Sequence, residues 1–230
     1  MAKSTKRKAS RIVLVTGTDT GVGKTMVTAG LARALSDRGV QVVAIKPVET
    51  GCGETVGESE DGWILASASR QSKPVGALTR LREPVAPPVA ADLEGSTLDA
   101  SCWRETLASY SESTEVVLVE GAGGLLSPLT WKETARDLAS SLGAVALVVA
   151  ADRLGTLNHT LLTLEALARA EIRTLGIVFS APPSPDESTG KNLESLRRID
   201  PSVKALALAR VKSWEEAAKK LEEVSRWIVP

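Results

Sequence analysis

In the stretch VTGTDTGVGKT, Val15 to Thr25, a glycine, a lysine and a threonine stand in a row directly after an apolar run. That order of residue types suits phosphate binding. Gly21 and Gly23 open backbone conformations closed to other residues, so the N–H groups around Val22 can point at phosphate oxygens. The helix N-terminus that follows, through Met26, stands behind them. Lys24 would meet the β and γ phosphates, and the Thr25 hydroxyl would hold Mg²⁺. The usual loop reads G-x-x-x-x-G-K-S/T. Here five residues separate Gly17 from Gly23. We therefore take Thr20 to Thr25 as the working core, and Gly17 to Asp19 as the turn that joins it to a strand.

Four more polar residues fall at or just past the ends of apolar runs: Lys46 in IKPVETG, Glu120 in VEGAGG, Asp152 in ADRLG and Ser180 in VFSAPP. In an open parallel sheet, ligands bind beyond the carboxyl ends of the strands. These residues and the glycine loop would then open onto one face. Lys46 there can balance charge on reacting phosphoryl oxygens. Glu120 suits Mg²⁺, which prefers hard oxygen ligands, and Gly121, Ala122 and Gly123 after it leave room for a ligand. Asp61, in ESEDGWILA, opens a helical pattern. It reads either as a helix cap or as a second carboxylate for the metal, which would make the metal set Thr25, Asp61 and Glu120.

Strands must hold these positions. RIVLVT (11–16), VQVVAIK (40–46), EVVLVE (115–120), AVALVVA (144–150), TLGIVF (174–179) and VKALAL (203–208) are short and unalternated, as strands buried on both faces are. Helical stripes lie between them: Val27, Leu31, Ala34 and Leu35, with Gly39 as the stop; Leu157, Leu161, Leu164 and Ala168; and Trp214, Ala217, Ala218, Leu221, Val224 and Ile228. All three read as core. The alternation predicts an α/β fold over residues 11–230, a single domain with a mostly parallel central sheet and helices on both faces. The proline-bearing stretch 72–96 reads as a long ordered excursion over one edge. Residues 1–10, MAKSTKRKAS, read as a flexible basic tail.

Composition narrows the partners. A chain of 230 residues can bury one core and is marginal for two. Hydrophobic residues make up 43% but aromatics only 3%, so the core is aliphatic. Lys plus Arg and Asp plus Glu are 28 each, and a net charge of zero argues against a nucleic-acid or membrane-surface partner. No apolar run approaches the roughly 20 residues that span a bilayer. Cys52 and Cys102 have neither disulfide-framework nor zinc spacing, which fits a reducing, cytoplasmic setting.

The ordered set VTGTDTGVGKT, IKPVETG, the Asp61 segment, VEGAGGLLSPL and ADRLGTLNHTLLT, from residue 11 to about 180, resembles the dethiobiotin synthases. These belong to the P-loop NTPase class, with the partition ATPases and the cobyrinate amidating enzymes. The resemblance implies an ATP- and Mg²⁺-dependent ligase of biotin synthesis that joins CO₂ to 7,8-diaminopelargonic acid and closes the ureido ring. One amine captures CO₂ as a carbamate. The carbamate oxygen attacks the γ-phosphoryl group, and the second amine displaces phosphate from the resulting anhydride. Catalytic roles are implied for Lys24, Lys46 and Thr20, with Thr20, Lys46 and Thr50 near the diamine and carbamate. Nucleotide contacts are implied for Gly21 through Met26, Asp61, Glu120 through Gly123, Ser180 and Ala181. Gly155, Thr156, Leu157 and Asn158 would hold the substrate carboxylate across the interface of a homodimer, a task that suits N–H groups at a helix start.

The chain departs from the family at several positions. Gly21 stands where many relatives have Glu. Ser180 stands where most have Asn, and a hydroxyl cannot offer an amide's paired donor and acceptor. Looser discrimination of the base is therefore expected. KALALARV lacks the Gly and Pro usual after the sixth strand, and Pro88 replaces a common His. His159, the only histidine, reads as structural. A partition-type ATPase switch is the alternative, but those proteins resemble KGGVGKT, and Asp19 stands where they carry a lysine. The chain also lacks their basic face and C-terminal membrane-targeting helix. Amidation of a corrinoid would need a glutaminase region for which 230 residues leave no room.

Overall fold

The computed structural model describes residues 10–230. The basic stretch 1–9, and with it the expectation of a flexible tail, lies outside the described residues. β1 (Arg11–Gly17) runs through a glycine loop into α1 (Lys24–Asp37). Then come β2 (Val42–Ile45), β3 (Val48–Glu49), α2 (Asp61–Ser69), β4 (Thr79–Arg80), α3 (Pro87–Leu93) and α4 (Ala100–Ser113). The second half alternates: β5 (Val116–Gly124), α5 (Ala135–Ser141), β6 (Val145–Ala151), α6 (Thr156–Arg169), β7 (Thr174–Ser180), α7 (Asn192–Ile199) and β8 (Ala205–Leu208). α8 (Trp214–Lys220) and α9 (Glu222–Ile228) close it.

Among the described residues, six strands form one parallel sheet in the order β2-β5-β1-β6-β7-β8. Strands β3 and β4 pair separately. From β1 the chain first crosses to one side, towards β2, and later builds the other side from β6 outward. That reversal opens a crevice at the carboxyl end of β1.

Successive strand residues point to opposite faces, and here both faces are covered. Leu14, Val117, Val119, Val148 and Phe179 enter a core with Trp103 and Leu107 of α4, Leu138 of α5 and Leu167 of α6. Val13, Val15, Leu118, Leu147 and Val178 enter the other, with Leu31 and Leu35 of α1 and Ala217 of α8. This is why the strand sequences are continuous runs of Val, Leu and Ala rather than alternating ones.

The structure departs from the sequence pattern in three places and fills in a fourth. β5 does not stop at Glu120 but continues through Gly124, where it pairs with Gly17 after a register shift. The glycines expected to leave room for a ligand let two backbones run side by side. α6 turns Thr156, Thr160, Thr163 and Leu167 inward, while Leu161 is 37% exposed and Ala168 is exposed. The expected leucine stripe is therefore only partly core, because the phase of the helix is set at its start, where Gly155 is left-handed at φ 85°. The final stripe is two helices, not one, bent at the buried Leu221, so the apolar period survives the bend. The excursion at 72–96 contains β4 and α3.

α1 and α8 meet closely at Gly30. An added Cβ there would lie 2.8 Å from Ala217 Cβ and 3.0 Å from Leu221 Cδ1. Gly30→Val is expected to cost about 1–3 kcal/mol through overpacking, measured as a lower urea midpoint. An unchanged midpoint would mean that the two helices separate freely.

Candidate active site

The glycine loop is tight for a reason visible at its first residue. A Cβ on Gly17 would lie 2.7 Å from Asp19 O and 3.0 Å from Lys24 Nζ. The turn Gly17–Asp19 thus folds the chain back over the strand end, where Thr18 N–H bonds to Val149 O at 2.9 Å. Gly23 caps α1 at φ 96°, a left-handed conformation natural to glycine. Lys24 Nζ donates to Asp19 O at 3.0 Å. Burial holds this ammonium below the ordinary lysine range, against the pull of Glu120.

Beside the loop, four side chains from four elements converge. Thr25 Oγ1 lies 2.8 Å from Asp61 Oδ1 and 3.0 Å from Glu120 Oε1. Lys46 Nζ donates to Glu120 Oε1 at 2.8 Å and also to Asp61 Oδ2. Burial opposes the charge on Lys46, but Glu120 and Asp61 outweigh it and hold its pKa above the usual lysine value. A hydroxyl has one proton, yet Thr25 Oγ1 faces two carboxylate oxygens, so one of these contacts has no hydrogen in it. Glu120 is fully buried, and its Oε2 has no hydrogen-bond partner. Three side chains with hard oxygens held close together, one of them a buried carboxylate with an unpartnered Oε2, are a donor set that fits Mg²⁺.

These groups border a cavity of about 750 Å³ whose lining includes Thr20, Gly21, Gly23 through Met26, Lys46, Thr50, Asp61, Ala122 and Gly123. Glu120 lies beneath it, reaching it through Lys46 and Thr25. Other expected residues stand elsewhere. The Val22 side chain enters the core, and Gly121 faces Ala135. Ser180 lies behind the loop, its Oγ only 2.7 Å from where a Cβ on Gly23 would be. Neither Ser180 nor Ala181 lines this cavity. Gly155 to Asn158 begin α6, also away from the cavity of their own chain. His159 is exposed on α6 and borders a shallow groove with Leu126 and Leu162.

Sequence reasoning missed three contributors. Pro84 through Pro87 and the pair Ser127–Pro128 form part of the cavity wall; the prolines of the 72–96 excursion were the available sign. Glu49 is the third. Its buried carboxylate accepts the N–H groups of Asp61 at 2.6 Å and Gly62 at 2.9 Å. Burial pushes this carboxyl above the ordinary range, with the two N–H bonds opposing. Glu49 therefore caps α2 from outside and leaves the Asp61 side chain to Thr25 and Lys46, which removes the helix-cap reading of Asp61. Glu49→Ala is expected to cost about 1–3 kcal/mol by leaving those N–H groups unsatisfied. Glu49→Gln should recover part of the loss in urea unfolding, and equal stability of all three proteins would contradict the capping role.

Comparison with known proteins agrees with this geometry. The AAA domain family matches residues 11–218. The ATP-dependent dethiobiotin synthetase BioD of Anaeromyxobacter dehalogenans is 42% identical over 192 residues, 82% of this chain and 85% of that protein. The ATP-dependent dethiobiotin synthetase BioD of Mycobacterium marinum is 43% identical over 196 residues, 83% and 84% of the two chains. Among solved structures, the septum site-determining protein MinD of Pyrococcus horikoshii, complexed with Mg-ADP, aligns at TM-score 0.62 and 16% identity over 96% of each chain. Cobyrinic acid a,c-diamide synthase of Mycobacterium smegmatis, with an ATP analog and magnesium, aligns at TM-score 0.53 and 15% identity over 94% of this chain and 93% of that one. At such identities the structural likeness speaks for the P-loop fold alone, whereas the sequence relatives decide the family. The chain belongs to the ATP-dependent dethiobiotin synthetase family.

Proposed function

We propose that the cavity beside the glycine loop performs the ATP- and Mg²⁺-dependent closure of 7,8-diaminopelargonic acid and CO₂ to dethiobiotin. The observation that carries this reading is the convergence of Lys46, Thr25, Asp61 and Glu120 at the mouth of a phosphate loop. Thr25, Asp61 and Glu120 would hold Mg²⁺, which when bound neutralises phosphate charge and acts as a Lewis acid. Gly21 through Met26 cradle the phosphates, and Lys24 leaves Asp19 O to meet the β and γ oxygens. Asp61 and Glu120 behind Thr25 and Ser180 and Ala181 behind Gly23 complete the nucleotide contacts.

The chemistry then follows from charge. One substrate amine adds to CO₂ and loses a proton, giving a carbamate. Lys46, kept protonated between its carboxylates, attracts that carbamate, and Thr20 and Thr50 offer it hydroxyls. The carbamate oxygen attacks the γ-phosphorus as ADP leaves. Lys24 and Lys46 offset the charge on the transferring group, which needs positioning and electrostatic support more than covalent help. The second amine attacks the carbamoyl carbon, and phosphate departs with the oxygen that made the attack.

We read the active form as a homodimer. Two observations support this. Gly155 to Asn158 stand away from their own chain's cavity, so a second copy is needed to bring them to it. Leu126, Leu154, Leu161 and Leu162 are 52%, 81%, 37% and 56% exposed, an outward apolar surface of the kind that marks an interface. Residues 11–230 read as one domain, since both cores share one sheet. Among the described residues no helix is long and apolar enough to cross a membrane, and both cysteines are free. The free cysteines fit the reducing, cytoplasmic setting read from the sequence.

Two experiments follow. Purified protein given the diamine, bicarbonate and MgATP should yield dethiobiotin by mass spectrometry, and Lys46→Ala should reduce its rate by about a hundredfold or more. ATP hydrolysis without the ring product would reject the function, and near-normal turnover in the variant would reject the role of Lys46. Leu162→Glu should give a monomer in analytical ultracentrifugation that still binds MgATP but makes no product. A monomeric wild type of full activity would exclude the shared site.

A further inference from the structure

The loop assigned to the substrate carboxylate packs inward only through Thr156 and Leu157. Leu154 is 81% exposed, and α6 starts at Gly155 without a side-chain cap. The Thr156 N–H bonds to Arg153 O at 3.2 Å, which leaves the N–H groups of Leu157 and Asn158 to meet an anion. Hydrogen bonds from one segment, residues 186–192, which runs into the first residue of α7, hold the approach to it. Asp186 Oδ2 accepts the Leu154 N–H at 2.8 Å. Asp152, 3% exposed, accepts the Gly190 N–H at 2.8 Å and Asn192 Nδ2 at 2.7 Å. Its carbonyl accepts the Thr189 hydroxyl at 2.8 Å. Asn192, 5% exposed, reaches the carbonyls of Ser188 at 3.1 Å and Arg153 at 3.4 Å.

The brace is anchored at both ends. Asp186 also accepts the Ser188 N–H at 2.8 Å and hydroxyl at 2.6 Å. The Ser188 hydroxyl and the Leu154 N–H pull its carboxyl down to about 2, so it stays charged at any working pH. The Asp152 N–H bonds to Ser180 O at 2.8 Å, at the strand end behind Gly23.

We infer that Asp152, Asp186 and Asn192 are positioning residues for the substrate carboxylate, holding the start of α6 where its N–H groups meet that group. None of the three lines the cavity, so they act through the loop and not on reacting atoms. The inference rests on the reading that Gly155 to Asn158 bind the carboxylate, and the test separates the two. Steady-state rates of the full chain are measured with the diamine acid and with the same vicinal diamine lacking the carboxylate. Wild type should prefer the acid. Asp186→Ala should raise the KM for the acid about tenfold, while kcat and the KM for ATP stay within about twofold. Its rate with the carboxylate-free diamine should not change. Asp186→Asn, which keeps an oxygen for the Leu154 N–H, should remain near wild type. Asn192→Ala should reproduce the KM shift through a different contact. If the variants slow both diamines equally or weaken ATP, the brace is merely structural and the inference is overturned. If wild type does not distinguish the two diamines, the carboxylate reading itself fails, and the inference with it.

Discussion

A carboxylate with no access to water must have a cation beside it, and the site is organised around that constraint. Glu120 is fully buried at the middle of β5. Lys46, just past the end of β2, supplies the charge, and Asp61 shares it from the start of α2. An unpaired buried carboxylate would protonate or destabilise the fold. With the pair in place, two negative groups stand ready beside the Thr25 hydroxyl. Two edge-to-centre strand neighbours, β2 and β5, must therefore lie in register, and their pairing of Ile45 with Val119 brings the lysine and the glutamate together. The same arrangement explains why Lys46 and Lys24 behave differently. Lys46 sits between two carboxylates and keeps its proton firmly, whereas burial dominates at Lys24, whose hydrogen bond is to a backbone carbonyl.

The glycine loop is built to bring Lys24 back over its own strand. The close approach at Gly17 leaves no room for a side chain. The additional residue between Gly17 and Gly23 therefore serves to complete the turn, while Thr20 to Thr25 form the cradle. On the other side of the loop, Ser180 presses against Gly23. The end of β7 thus braces the loop from behind, and through Asp152 the start of α6 as well.

Much of this was legible in the sequence, for physical reasons. A strand buried on both faces needs an unbroken apolar run, so β1, β5, β6 and β7 announced themselves. A phosphate loop needs its glycines, lysine and hydroxyl in fixed order, and ligands collect at strand ends, so Lys24, Thr25, Lys46 and Glu120 could be gathered from the sequence, while Asp61, at a helix start, read as cap or ligand. What escaped depends on tertiary geometry. Glu49 resembles any strand-end charge until the N-terminus of α2 is seen above it. The glycines after Glu120 read as room for a ligand beyond the strand end, yet here they allow close parallel pairing with β1. The leucines of α6 read as core because leucine usually is; Leu157 and Leu164 do pack there, but three threonines and Leu167 take the most buried positions. That phase leaves Leu161 and Leu162 facing outward.

In the function proposed above, shared burial of charge and a tightly returned loop serve one chemical event: transfer of the γ-phosphoryl group to a carbamate oxygen near Lys24 and Lys46. The most direct measurement follows that oxygen. With bicarbonate carrying heavy oxygen, and quenching before exchange with water, the phosphate released during turnover should carry one labelled oxygen from the carbamate. Phosphate that carries oxygen only from ATP and water would contradict the transfer and leave simple hydrolysis as the reaction of this site.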